Sequence, residues 1–288
     1  MRGVLKMQYD IFSVGDNVGD YYPSQKKIYA GGGAYNTAVN ARRLGKKSAY
    51  YGTFGTDDVA KFLYDVLRKE NVAYPINDIR EGRNAVSVIK KEEGENRVEK
   101  IDKGVYKGLK IGSSVLELIK DSKIVHSNVY SYFEDYLKKL KYRTKISFDF
   151  SHFRNKEYIE EIIKDVDIAY FSKPEITEDP EEFINWAYEL GPEVVILTQG
   201  AAGAYMKFDD KLINKEAISK DVVDTLGAGD AFIAGFLSTY LDFEDYETAF
   251  EGALKNAAEN CKINGSLGIS QSREKEIKIY KDYHDDYI

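Results

Sequence analysis

The residues best placed to do chemistry lie at 223–237, Val-Asp-Thr-Leu-Gly-Ala-Gly-Asp-Ala-Phe-Ile-Ala-Gly-Phe-Leu. The small residues Gly227, Ala228 and Gly229 lead into an apolar run, which predicts a helix starting near Ala228 to Asp230. A helix N-terminus offers N–H groups without intrahelical partners and the positive end of a dipole, and together these bind anions. Glycine at that point lets the backbone approach a bulky phosphate with no Cβ in between. A carboxylate at the same place, Asp230, can orient a hydroxyl and take its proton while the N–H groups hold the developing charge. The alternative is an aspartate that only charges the first helical turn. The segment by itself leaves both readings open. It is not a Walker-type loop, because no Gly-Lys-Ser/Thr follows the glycines.

A second constellation is Gly31-Gly32-Gly33-Ala34-Tyr35-Asn36-Thr37-Ala38. Three glycines before a helix again suit close approach to a ligand, and Asn36 on the first turn offers a donor and an acceptor to sugar hydroxyls. A plain strand-to-helix turn would use the same residues. Gly15-Asp16-Asn17 follows the first apolar run. Ligands of open α/β sheets sit beyond the carboxyl ends of the strands, so Asp16 and Asn17 fall on the binding edge unless they form an exposed turn.

Elements able to position these residues can be read along the chain. Apolar runs at 9–14, 48–51, 123–126, 145–149, 168–171 and 193–198 predict buried strands, and helical patterns cover 35–44, 57–71, 113–121, 132–142, 156–164 and 179–190. This alternation predicts an α/β fold with a mainly parallel central sheet and helices on both faces. Beyond Thr198 come a strand pattern at 204–209 and apolar helices at 228–240 and 246–262. No repeat or linker divides the chain, so residues 1–288 are expected to form one domain. Two extended, polar stretches interrupt the rhythm, 17–32 and 84–105. In the second, 85–89 and 97–101 flank the turn-like 92–96, a β-hairpin pattern. These stretches either combine into a small sheet lying over the site as a lid or decorate the surface.

Composition narrows the function. The 288 residues are 43% hydrophobic, enough for a sizeable core, and carry a formal net charge of −7. An acidic balance without a basic aromatic patch argues against a nucleic-acid partner. Cys261 is the only cysteine, and the three histidines are scattered, so disulfides within the chain and a zinc cluster are not expected. No apolar stretch reaches a membrane span, and 1–7 is too short and polar for a signal peptide. The expectation is a soluble cytoplasmic protein without membrane partners.

Together the segments resemble the ribokinase family, the PfkB-type carbohydrate kinases. One signature spans Gly31 to Gly55, with Asn36, Ala38, Gly45 and Gly55 at the family's spacing, and the other spans Asp224 to Leu237. Between them, Thr198-Gln199-Gly200-Ala201-Ala202-Gly203 is similar to the family's nucleotide-site turn. The resemblance runs from about residue 9 to 272. It implies a ribokinase-like fold with a small β-sheet lid, and ATP-dependent transfer of a phosphoryl group to a sugar or sugar-amine. Asp230 would be the base, and Gly227, Ala228 and Gly229 the anion hole. Thr198, Gly200, Gly203 and Asn256 would line the nucleotide site. Asp16, Asn17, Asp20, Gly32, Gly33 and Asn36 would hold the acceptor. Glu178 would act on Mg2+ through water, although Glu175 stands where many members have the asparagine of that motif. Asp224 falls where some members bind a monovalent cation such as K+. Many relatives pair through their lids, and the apolar face of 85–101 suits a homodimer of that kind and a monomer with a packed lid equally well.

The stretch Gly15-Asp16-Asn17-Val18-Gly19-Asp20-Tyr21-Tyr22-Pro23 resembles the fructosamine (fructoselysine-type) 6-kinase branch. The expected acceptor is then the C6 hydroxyl of a ketose carrying an amino acid at C1. Asp20, Asp149, His152 and Arg154 are candidates for reading that tail, or ordinary loop residues. Fructokinase, and 2-keto-3-deoxygluconate, ribose or nucleoside kinases, are the rivals within the family. A non-catalytic sugar or nucleotide sensor is the rival outside it.

Overall fold

The computed structural model describes residues 8–75, 77–92, 95–172, 179–218 and 221–274. Along the chain these form β1 (Ile11–Val14), β2 (Val18–Tyr22), β3 (Lys27–Gly31), α1 (Gly33–Arg43), β4 (Ser48–Tyr51), β5 (Thr53–Phe54), α2 (Asp58–Lys69), β6 (Asp78–Ile79), β7 (Val86–Glu92) and β8 (Glu95–Asp102). They continue as α3 (Ser113–Lys120), β9 (Ile124–Asn128), α4 (Glu134–Leu140), β10 (Lys145–Asp149), α5 (Lys156–Ile162), β11 (Ile168–Ser172), α6 (Pro180–Glu189) and β12 (Val194–Thr198). Last come β13 (Ala204–Phe208), β14 (Lys211–Lys215), α7 (Ala228–Phe243), α8 (Tyr246–Asn260) and β15 (Ser270–Ser272).

The larger sheet has the order β14-β13-β12-β11-β10-β9-β1-β4. From β4 to β12 all pairings are parallel, and the β13–β14 hairpin closes one edge antiparallel. The parallel strands read as continuous apolar runs because helices cover both of their faces. In β12 the period of two is visible. Val194 and Ile196 pack with Phe232 and Phe236 of α7 and Phe250 of α8, while Val195 and Leu197 pack with Phe183 and Ile184 of α6. All of these strands deliver their carboxyl ends to one edge, where Asp16, Asn128, Asp149, Ser172 and Thr198 lie.

The smaller sheet has the order β15-β3-β2-β7-β8. The 17–32 stretch forms β2 and β3, and 84–105 forms the β7–β8 hairpin, joined to β2 in parallel. β15, which pairs antiparallel with β3, was not expected, and neither was β14. Several helices are shorter than their patterns, two of them for a reason visible in the backbone. Tyr132 has a φ of 52°, outside the helical region, so α4 starts only at Glu134. α5 ends at Ile162 and tightens into a 3-10 turn over Ile163–Asp165. Among the described residues no helix is long and apolar enough to cross a membrane.

Candidate active site

A cavity of about 410 Å³ lies between the carboxyl edge of the larger sheet and the smaller sheet. Asp16, Asn128 and Asp149 line it from the edge, Asp20, Ser87 and Val98 from the smaller sheet, and Gly227 and Asp230 from the start of α7. Asp230 sits in the first turn of α7, whose N-cap, Gly227, supplies no side chain to the first-turn amides. Gly227 has a φ of 79°, and a Cβ there would stand 2.5 Å from the Ser266 Cβ, so glycine is required on both counts.

Asn36, in the first turn of α1, donates from Nδ2 to Asp230 Oδ2 at 2.7 Å. That bond joins the two glycine-rich segments, 194 residues apart, at one point. Burial in the cavity wall pushes the Asp230 carboxyl up to about 7; the Asn36 bond opposes the rise, and the Asp16, Asp149 and Asp20 carboxylates add to it. Asn36 Oδ1 is buried without a hydrogen-bond partner.

Asp16 is engaged twice over. Its carboxylate accepts the Gly33 N–H at 2.7 Å and the Ala34 N–H at 3.0 Å, and so caps α1 from the end of β1. Asn128 Nδ2 adds a third donor at 2.8 Å. Gly32 makes this junction fit, for with a φ of 109° its Cβ would stand 2.6 Å from the Asn17 Cα. Asn17 lines the cavity but spends its amide on the fold: Nδ2 donates to the Tyr50 hydroxyl and the Thr53 carbonyl, and Oδ1 accepts from Asn84.

Two further carboxylates face the same space. Asp20 accepts from Ser87 Oγ at 2.6 Å. Burial lifts it to about 7 against that bond, with Asp16 and Asp224 contributing. Asp149, at the end of β10, accepts the Ser151 N–H at 2.7 Å and is raised to about 6, again mainly by burial. Tyr130, Ser151 and His152 line the cavity beside it, and Lys103 is the one lysine or arginine among the lining residues. Arg154 points its guanidinium at backbone carbonyls, those of Phe153 and Ser172 among them, and is not part of the lining.

Thr198, Gly200, Gly203 and Asn256 lie outside this cavity. Thr198 stands on the same sheet edge, three strands beyond Asn128, and Gly200 and Gly203 shape the turn after it. Asn256 donates to the Ala231 carbonyl at 2.6 Å and so ties α8 to the first turn of α7. Glu175 and Glu178 lie outside the described residues. Asp224 is buried, and its two oxygens accept three bonds, from the Tyr22 hydroxyl, the Gly265 N–H and the Leu226 N–H. That carboxylate fixes the loop that leads into α7. Asn128, Ser87 and Tyr130 were missed in the sequence. For Asn128 a signal existed, since it ends a strand on the binding edge.

A helix start without a side-chain cap, a carboxylate beside it and a cavity over the edge of a parallel sheet make a candidate phosphoryl-transfer site on an α/β fold. The pfkB family carbohydrate kinase model matches residues 4–270, and the chain belongs to that family. It is 34% identical over 263 residues to the fructosamine kinase FrlD of Bacillus subtilis, covering 90% of this chain and 93% of that one. With the fructoselysine 6-kinase of Escherichia coli it shares 26% identity over 78% of this chain and 87% of the other. The structure of Arabidopsis thaliana ribokinase complexed with ribose and ATP superposes with a TM-score of 0.76 at 20% identity, covering 91% of this chain and 95% of that one. The chain is thus an ATP-dependent sugar kinase with a ribokinase-like fold.

Proposed function

We propose that this kinase phosphorylates a primary hydroxyl of a ketose-type acceptor, and that the acceptor is a fructosamine of the fructoselysine type, phosphorylated at C6. The observation that carries the reading is Asp230 at an uncapped helix start, aligned by Asn36. Asp230 takes the proton of the acceptor hydroxyl as its oxygen bonds to the γ-phosphorus of ATP, and the bond to ADP breaks. The backbone of Gly227, Ala228 and Gly229 holds the charge that develops on the transferred group. Asp16, Gly32, Gly33 and Asn36 position the sugar, and Thr198, Gly200 and Gly203 face the nucleotide. A magnesium ion accompanying ATP would neutralise charge on its phosphates, with Glu178 expected to hold it through water. The smaller sheet acts as a lid that excludes water from the reacting groups.

Charge supports the amine-bearing acceptor. Apart from the base and the helix-capping Asp16, the cavity holds Asp20 and Asp149 against the single Lys103. With a neutral sugar, burial pushes both groups toward their protonated forms, whereas a protonated secondary amine at C1 favours them as carboxylates and meets their charge. The likeness to the Bacillus fructosamine kinase points the same way. The test is ADP release with fructoselysine, fructose, ribose, 2-keto-3-deoxygluconate and adenosine as acceptors. Fructoselysine should give the highest kcat/KM, and turnover of plain fructose alone would sink the fructosamine reading.

A further inference from the structure

The loop that precedes α7 is held from the smaller sheet. Tyr22, the last residue of β2, donates its hydroxyl to Asp224 Oδ2 at 2.8 Å, and both residues are 2% exposed. The Tyr22 ring packs on Tyr29 of β3 with centroids 4.8 Å apart. These rings and Ile89 of β7 form a cluster against which Val98 of β8 and Leu226 of the loop pack. One strand end therefore grips the loop at Asp224 by a hydrogen bond and at Leu226 by apolar contact. Asp224 passes the constraint on, because its Oδ1 accepts the Leu226 N–H at 3.0 Å, one residue before Gly227.

The hydroxyl is not needed to hold β2 in place, since β2 is already paired along its length with β3 and over Gly19–Tyr21 with β7. What it holds is the loop. Leu226 and Gly227 line the same cavity as Val98 and Ile101, so anything filling that space touches both the loop and the hairpin. We propose that Tyr22 is a positioning residue for phosphoryl transfer: through Asp224 it sets the turn at Gly227–Asp230 into its anion-binding form when the smaller sheet covers the cavity. The inference rests on the reading of Gly227–Gly229 as the phosphoryl-binding turn, and not on which sugar is the acceptor. It also gives Asp224 a use that needs no bound cation.

Tyr22→Phe in the full-length protein keeps the ring and removes only the hydroxyl. In hydrogen–deuterium exchange on the ligand-free protein, amides of 224–229 should exchange about tenfold faster, with β2 and β3 unchanged. With the sugar that turns over best in the acceptor panel, kcat should fall about tenfold while KM for the sugar stays within twofold. Asp224→Asn, alone and combined with Tyr22→Phe, completes a cycle in which the effects on kcat should be non-additive. Unchanged exchange at 224–229, a kcat equal to wild type, or additive effects would overturn the proposal. So would faster exchange throughout the chain with a lowered unfolding midpoint, which would make Tyr22 a residue of general stability. If no sugar in the panel turns over, the acceptor reading falls, and the exchange experiment still decides this one.

Discussion

The larger and smaller sheets supply opposite walls of one cavity, and they are held together by different means. The larger sheet is a stack of parallel strands sealed between helices, with Phe12, Phe148, Phe171, Ile196 and Leu197 fully buried. The smaller sheet gathers strands from distant parts of the chain, and β8 runs along its outer edge with exposed or half-buried residues from Asn96 to Ile101. The wall that carries the edge carboxylates Asp16 and Asp149 is thus the rigid one. The wall that contributes Asp20, Ser87 and Val98 is buried along β2 and β3 but ends in β8, an outer strand with no partner beyond it among the described residues. The two walls differ in how fully their outer faces are covered.

That contrast can be broken at several points. The largest effect is expected at the seam between the walls, where Asp230→Asn should lower kcat roughly a thousandfold, about 4 kcal/mol, with acceptor binding retained in calorimetry. A variant with near-normal turnover would remove Asp230 from the base role. In the larger sheet, Phe148→Ala empties a fully buried site that contacts Phe150. It should cost about 3 to 4 kcal/mol in chemical denaturation.

Asp149 tests the electrostatics of the rigid wall. Its raised carboxyl favours the folded state while protonated; that contribution is complete below about pH 4 and is lost as pH rises through about 6. An amide has no such loss, so Asp149→Asn should be stabilised relative to wild type by about 2 kcal/mol more at pH 8 than at pH 4. Equal differences at both pH values would show that this carboxyl is not raised. The same variant should raise KM about tenfold for fructoselysine and little for fructose, if the carboxylate meets the C1 amine. Val98→Ala, on the smaller sheet, should cost under about 1 kcal/mol of stability and act mainly on KM. A loss as large as that of Phe148→Ala would erase the distinction between the walls.

The same contrast explains what could be read from the sequence. The parallel strands and their helices were legible because burial on both faces writes continuous apolar runs, as in 193–198, and the glycine-rich signatures marked two helix starts that line the cavity. Asp230 and Asn36 could each be singled out, but not their contact, because a hydrogen bond between two helix starts leaves no local pattern. Asp16 was read as a substrate contact, and its capping of α1 from another element was invisible for the same reason. β15 is three residues, Ser-Gln-Ser, with no apolar alternation, and exists only because β3 offers an edge. Asn256 illustrates the converse, since its side chain is engaged in helix packing that a motif match does not reveal.

The late pairing of β15 with β3 has a consequence for how the protein is made. Ser270–Ser272 close a sheet whose other strands lie within the first 102 residues, and Gly265, just upstream, supplies a donor to Asp224. While the ribosome is still adding α8, β3 is an open edge and the Asp224 carboxylate lacks one of its partners. The cavity needs the chain up to Ser266, and the sheet above it is finished only at about residue 272. Fragments released early would carry the edge carboxylates without the finished cover, and an unpaired strand edge of that kind invites contact with other chains.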